Sequence, residues 1–161
     1  MLSGARTALR RAAPWFGLAL AVAAADRGTK VLIEQLFKVE ERRPVLPFFD
    51  LVLVYNKGAA FSFLAGAAGW QTPLLIAVAL VAIGLISVWL LRQPDKPLLC
   101  SGLALVLGGA IGNLWDRIAY GQVADFLLLH AYGYSWPAFN LADSAISVGA
   151  VLLVYDGFAR K

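Results

Sequence analysis

Polar and apolar positions along this chain separate into long blocks rather than short alternations. A membrane-spanning helix takes about 20 mostly apolar residues, and three runs reach that length. "WQTPLLIAVALVAIGLISVWLL" (70–91) is bracketed by tryptophans, as an interfacial belt would place them. "PLLCSGLALVLGGAIGNLW" (97–115) follows after only "RQPDK", and "NLADSAISVGAVLLVYDGF" (140–158) is the third. A fourth run, "APWFGLALAVAAADRGTKVLIEQLF" from Ala13, is broken by Asp26, Arg27 and Lys30. Helices are therefore expected over about 13–33, 70–91, 97–115 and 140–158.

The first run supports two readings. Arg6, Arg10 and Arg11 precede an apolar stretch, and Ala23-Ala24-Ala25 looks like the end of a cleaved signal peptide. The apolar pattern resumes at Val31, Leu32, Ile33, Leu36 and Phe37, which favours a retained helix. Between 37 and 69 the period changes. In "FFDLVLVYN", Phe49, Leu51, Leu53 and Tyr55 share one face and Asp50, Val52, Val54 and Asn56 the other, a strand pattern. "NKGAAFSF" then supplies a bend. The expected fold is an all-α polytopic membrane protein of four spanning helices, with a small extracytoplasmic β-sheet inserted between helices 1 and 2 and lying on the membrane surface. Residues 1–161 form a single integral membrane domain in this reading.

Composition agrees with the bilayer. The chain is 60% hydrophobic and 15% charged, with mean hydropathy +0.72, against roughly 45–50% and about 25% in soluble domains. Arg6, Arg10 and Arg11 precede the first helix, Arg92 and Lys96 sit between the second and third, and Arg160 and Lys161 follow the fourth. Short basic flanks stay in the cytoplasm, so both termini are expected there. Lys38, Arg42, Arg43, Lys57 and Arg117 fall on the opposite side, diluted by Glu40, Glu41, Asp50 and Asp116. The net charge of +4 thus reads as orientation rather than nucleic-acid binding. One cysteine, Cys100, and one histidine, His130, exclude an intrachain disulfide and a cysteine or imidazole metal cage. No metal and no cofactor are expected.

Against that background the polar residues stand out, because an ionisable group within the membrane costs at least a few kcal/mol. Asp116, Asp125 and Asp143 are expected at the extracytoplasmic ends of helices 3 and 4 or in the short link between them. Gly109, Asn113 and Arg117 are four apart and share a helix face. Asn140, Asp143, Ser144 and Ser147 make one polar stripe at i, i+3, i+4 and i+7, which must face protein or water.

Each residue alone has a structural explanation. Asn140 can cap a helix, Asp143 suits its first turn, Asp116 beside Arg117 reads as an interfacial ion pair, and Asp26 with Lys30 as an i, i+4 pair. Gly108 and Gly112 form a G-x-x-x-G for close helix packing. A cap does not explain Asp125, placed in a loop aimed at the same spot. Two carboxylates meeting at the mouth of a bundle share a proton, since like charges in contact resist joint ionisation. Such a pair can hydrolyse an amide. Other peptidase patterns are missing: no H-E-x-x-H, no Gly-x-Ser-x-Gly and no Gly-x-Gly-Asp, and Asp156 falls at the cytoplasmic end. The rival classes are a proton-relaying transporter and a non-catalytic adaptor. A relay would place acids at mid-depth, where helices 2, 3 and 4 hold no charge.

Four blocks carry a resemblance: "DRGTK" at 26–30, "NKGAAFSF" at 56–63, "GGAIGNLWDR" with "GQVADF" within 108–126, and "FNLADS" at 139–144. With them the chain resembles bacterial lipoprotein signal peptidase, signal peptidase II, an aspartic peptidase family, over nearly its full length. The resemblance implies that the first helix is retained. It implies Asp125 and Asp143 as the catalytic pair, and Asn56, Asn113, Arg117 and Asn140 as substrate-binding residues. Asp26, Lys30, Gly58, Gly109, Gly112 and Asp116 are assigned structural or supporting places around them. It implies cleavage of a diacylglyceryl-modified prolipoprotein just before its lipidated cysteine, at the outer face of the bacterial cytoplasmic (inner) membrane. Membrane lipid is the other expected partner, and a monomer is expected. Arg27 departs from the family pattern, which has glutamine there.

Overall fold

The computed structural model describes residues 2–58 and 70–159, with side chains from residue 7 onward. The described residues form α1 (Leu2–Leu36), β1 (Arg42–Leu46), β2 (Phe49–Asn56), α2 (Gln71–Arg92), α3 (Pro97–Tyr120), β3 (Val123–Ala131), β4 (Tyr134–Ser135) and α4 (Leu141–Ala159). The architecture is mostly helical with one small antiparallel sheet, in the order β1-β2-β3-β4. α2, α3 and α4 are long and apolar enough to cross a membrane. α1 is not among these, because Asp26, Arg27 and Lys30 dilute its apolar run.

Helix α3 is the centre of the bundle. It buries twelve residues, whereas α2 buries only Gln71 and Leu90. The main apolar cluster joins Leu99, Cys100, Leu103, Ala104 and Leu107 of α3 to Ala19 and Leu90. Glycines set the helix spacing. A Cβ at Gly108 would lie 2.5 Å from the Ala19 carbonyl oxygen of α1, and one at Gly109 would lie 2.4 Å from the Ala142 carbonyl oxygen of α4. The backbones therefore approach as only glycine permits. Outward, Leu80, Val81, Leu85, Val151, Val154 and Phe158 stay more than half exposed, an apolar coat that suits lipid rather than water.

Several element ends differ from the sequence expectation. α1 begins well before Ala13 and runs through Pro14. Proline removes one intrahelical bond, but Ala12 is fully buried, Trp15 Nε1 donates to the Pro94 carbonyl (2.9 Å), and Arg11 pairs with Asp95 (2.8 Å). Those tertiary contacts hold the extra turns. α3 continues past Trp115 to Tyr120 and stops where Gly121 takes a left-handed φ of 70° and its N–H returns to the Arg117 carbonyl.

The larger correction concerns the connection from α3 to α4, expected as a short link. It is β3 and β4, so the sheet is not confined to the insert between α1 and α2. Tyr132 and Gly133, both at positive φ, close the β3–β4 hairpin, as a two-residue type I′ turn requires. β2 also breaks its predicted alternation. A register shift between Leu51 and Val54 buries both Val52 and Leu53. The stretch "AAFSF" after Gly58, and Ala60 with it, lies outside the described residues.

The sheet seats on the bundle through a second apolar cluster of Ile33, Phe37, Leu53, Ala124 and Phe126. Its far end is tied by buried Asp50, which contacts both Arg42 of β1 and His130 of β3. Burial resists ionisation of Asp50, but those two partners outweigh it and hold its carboxyl below the ordinary range.

Candidate functional site

Strand β3 and helix α4 bring the two predicted aspartates to one cavity. Asp125 comes from β3. After the β3–β4 hairpin the chain returns alongside β3, with Phe139 paired to Leu127 in both directions (N–H to O, 3.0 and 2.8 Å). That pairing delivers Asn140 beside Asp125. Asn140 then starts α4: its Oδ1 accepts the Asp143 N–H (2.9 Å), and its own N–H donates to Asp143 Oδ2 (3.3 Å). This is a reciprocal capping box with aspartate in the acidic place, and it sets Asp143 one turn into the helix. Asp125 is 3% exposed and Asn140 fully buried.

Amides supply the donors between the carboxylates. Asn140 Nδ2 donates to Asp125 Oδ1 (2.7 Å), and Asn56 Nδ2, from the end of β2, donates to Asp125 Oδ2 (3.2 Å). Asn113 Nδ2, from α3, donates to Asp143 Oδ1 (2.8 Å). Burial pushes the Asp125 carboxyl up to about 7, and the Asp143 charge adds to the rise. The Asn56 and Asn140 bonds oppose it. A carboxyl in that range can hold a proton at neutral pH and give it up.

The cavity, of about 400 Å³, is lined by Asp125, Asp143, Asn56, Asn113 and Arg117 together with apolar groups such as Trp136 and Phe139. Arg117 spans the gap between α3 and the end of β2, donating from Nη1 to the Asn113 carbonyl (3.2 Å) and from Nη2 to the Gly58 carbonyl (3.1 Å). Gly58 N–H in turn donates to Asn56 Oδ1 (2.8 Å), which orients that amide. Asn140 is not on the cavity wall; it sits behind the carboxylates. Among the described residues no three His, Cys, Asp or Glu side chains are grouped to hold a metal.

The supporting residues gather one layer deeper. Lys30 and Asp26 of α1 pair as spaced, at 2.7 Å. Asp116, read from sequence as a partner for its neighbour Arg117, pairs elsewhere. Adjacent helix residues diverge in direction, so Asp116 faces α1, with its Oδ2 2.7 Å from Lys30 Nζ and its Oδ1 3.4 Å from Arg27 Nη1. Arg27 also reaches Glu34 and the Tyr120 hydroxyl and stacks 5.1 Å over the Tyr120 ring. Gly112 is needed because a Cβ there would stand 2.5 Å from Asp26 Oδ2. Asp26 Oδ1 accepts the Ala142 N–H (2.9 Å), tying α1 to the first turn of α4. Gly109 packs on that same turn.

Sequence reasoning missed the aromatic wall at Trp136 and Phe139, although "SWPAF" directly before "NLAD" is visible in the chain. It also gave Arg27 no partners, which came from α3 across a long sequence separation.

Residues 18–159 match the family described as Signal peptidase (SPase) II. Among curated relatives, a lipoprotein signal peptidase of Paraburkholderia phytofirmans is 52% identical over 148 residues, spanning 92% of this chain and 86% of that protein. Its counterpart from Paraburkholderia phymatum is 50% identical over 148 residues, spanning 92% and 89%. A solved structure, described as a bacterial membrane enzyme determined by the in meso method at 2.3 Å resolution, superposes with a TM-score of 0.81 at 25% identity, covering 91% of this chain and 88% of that one. The chain belongs to the signal peptidase II family.

Proposed function

We propose that this chain is a membrane aspartic endopeptidase that removes signal peptides from prolipoproteins, cutting before the diacylglyceryl-modified cysteine. Membership of the family and the curated relatives' printed function support the activity. The observation that carries the mechanism is the amide-bridged pair Asp125 and Asp143 on one cavity wall. In this reading Asp125 holds the shared proton at neutral pH and Asp143 is the carboxylate. Asp143 takes a proton from water as the water oxygen bonds to the scissile carbonyl carbon. Asp125 gives its proton to the carbonyl oxygen, forming a tetrahedral diol. Collapse breaks the C–N bond: the leaving nitrogen takes the proton from Asp143, and a diol hydroxyl returns one to Asp125.

Asn56, Asn113 and Arg117 line the cavity and are placed to hold substrate carbonyls, while buried Asn140 holds the carboxylates themselves. The apolar wall suits a signal peptide and its lipid. All four helices are read as crossing the bacterial cytoplasmic (inner) membrane within one domain. Both termini lie in the cytoplasm, and the sheet and cavity lie at the outer face. The basic flanks and the apolar outer surface of α2 and α4 support this. α1 crosses with its ionic cluster turned toward α3 instead of lipid. A monomer completes the cavity from its own residues.

The test is cleavage of a lipidated prolipoprotein by purified enzyme in detergent, with an unlipidated substrate alongside. Asp125→Asn and Asp143→Asn should each lose cleavage by about 10³-fold or more, in line with losses seen when an essential acid–base pair is broken, while remaining folded. Near-normal turnover by either variant would remove the assigned pair.

A further inference from the structure

Lys30 is fully buried; its ammonium hydrogen-bonds Asp26 Oδ2 at 2.7 Å, pairs by charge with Asp116 Oδ2 at 2.7 Å, and hydrogen-bonds Asn113 Oδ1 at 3.1 Å. Asp26 alone would balance the ammonium, and Asp116 is also paired with Arg27. The third contact has a different consequence. An asparagine side chain presents a carbonyl oxygen on one side and an NH₂ on the other, and a half-turn exchanges them. Lysine can only donate, so it fixes the Asn113 oxygen toward α1 and leaves the NH₂ aimed at Asp143 Oδ1, 2.8 Å away.

Asn140 is fixed separately, because its Oδ1 accepts the Asp143 N–H at 2.9 Å. Asn113 Oδ1 also accepts from Asn140 Nδ2 at 3.2 Å, and that same Nδ2 donates to Asp125 Oδ1 at 2.7 Å. Asn140 cannot hold Asn113 unaided, because its two protons already face three acceptors: Asp125 Oδ1, Asn113 Oδ1 and the Ala124 carbonyl. A half-turn of Asn113 would set its carbonyl against Asp143 and its NH₂ against that of Asn140.

We propose that Lys30 is a positioning residue, its buried ammonium fixing the orientation of the Asn113 amide so that one amide proton is aimed at Asp143. This rests on the assignment of those two aspartates as the reacting pair. Asp26 balances the cation and Asp116 is shared with Arg27, so the orienting donor is carried into the bundle without an uncompensated charge.

The experiment removes the donor in charge-balanced form, using Lys30→Met/Asp26→Asn and, separately, Lys30→Met/Asp116→Asn. Each purified protein is assayed for thermal stability, kcat and KM on a lipidated prolipoprotein, with and without Asn113→Ala added. Losing the aim of a catalytic group costs about 100-fold in rate, so kcat should fall on that order with KM within about threefold. Adding Asn113→Ala should then cost little more, because Lys30 acts through that amide and coupled residues are non-additive. A role confined to the fold would instead lower the melting temperature and let the two losses multiply. Multiplying losses, unchanged kcat, or failure of both balanced pairs to fold would each overturn the assignment. Cleavage by wild type alongside any of these would leave the proposed activity standing.

Discussion

Substituting alanine at Gly109 should disable cleavage without adding or removing any polar group. A Cβ at this position would lie 2.4 Å from the Ala142 carbonyl oxygen and 2.7 Å from Ile146 Cγ1, where ordinary contact begins at 3.4 Å. Both obstacles belong to α4, and the nearer one is backbone, so α4 must retreat by about 1 Å. Asn113 stands one helical turn beyond Gly109, and Asp143 directly follows Ala142. The retreat therefore falls on the Asn113–Asp143 bond. At 2.8 Å it would stretch past the range of about 2.7–3.2 Å in which such bonds hold. Overpacking costs about 1–3 kcal/mol in stability, whereas a misplacement of about 1 Å can cost about 100-fold in rate. The two readouts should consequently part, with a modest fall in melting temperature and a large fall in kcat. Gly84→Ala is the control, since nothing lies within 4 Å of the Cβ it would gain. The assay is turnover of lipidated prolipoprotein beside thermal unfolding in the same detergent. Gly109→Ala enzyme with turnover within about threefold of wild type would refute the claim that α3–α4 spacing sets the pair.

The same geometry fixes further outcomes. The shared proton placed on Asp125, whose carboxyl lies at about 7, makes cleavage fall as pH rises through that value; since burial holds this group above its unfolded value of 3.8, thermal stability should also decline from about pH 4 to about pH 7 and level off above it. Asn56 donates to the ionised form, so Asn56→Ala should move the falling limb of the pH–rate profile to higher pH, and a limb that moved down would contradict the assignment. Asn140→Ala removes the cap of α4, worth about 1 kcal/mol, and strands buried acceptors at about 1–3 kcal/mol more. Unfolding measurements should therefore show a drop of that combined order, together with loss of turnover; a drop no larger than a surface cap gives would refute the buried role.

Helices α2, α3 and α4 were legible because a long uncharged run has few alternatives to a helix. Their ends were less so. Pro14 reads as a start and Trp115 as an interfacial stop, yet contacts from Arg11 and Trp15 to the α2–α3 connection prolong one helix, and Gly121 ends the other. β3 escaped because "VADFLLLHA" does not alternate. Its first four residues are all buried, with the bundle and the cavity covering both faces, so the strand carries no period to detect. Asp125 and Asp143 were legible through the resemblance and through a polar stripe that lipid could not tolerate. The partners of Asp116 and Arg27 were not, since they depend on how α1 rotates against α3.

One carboxylate of the pair rides on a strand and the other on a membrane helix, and the joint between those parts is the small apolar seat formed by Ile33, Phe37, Leu53, Ala124 and Phe126. On the proposed assignment, neither part has hydrolytic power by itself. A chain inserted in the bilayer with its sheet not yet seated would hold Asp143 without Asp125, and would be inert toward the peptide bonds around it. On that assignment, proteolytic competence waits on the seating of the sheet against the bundle.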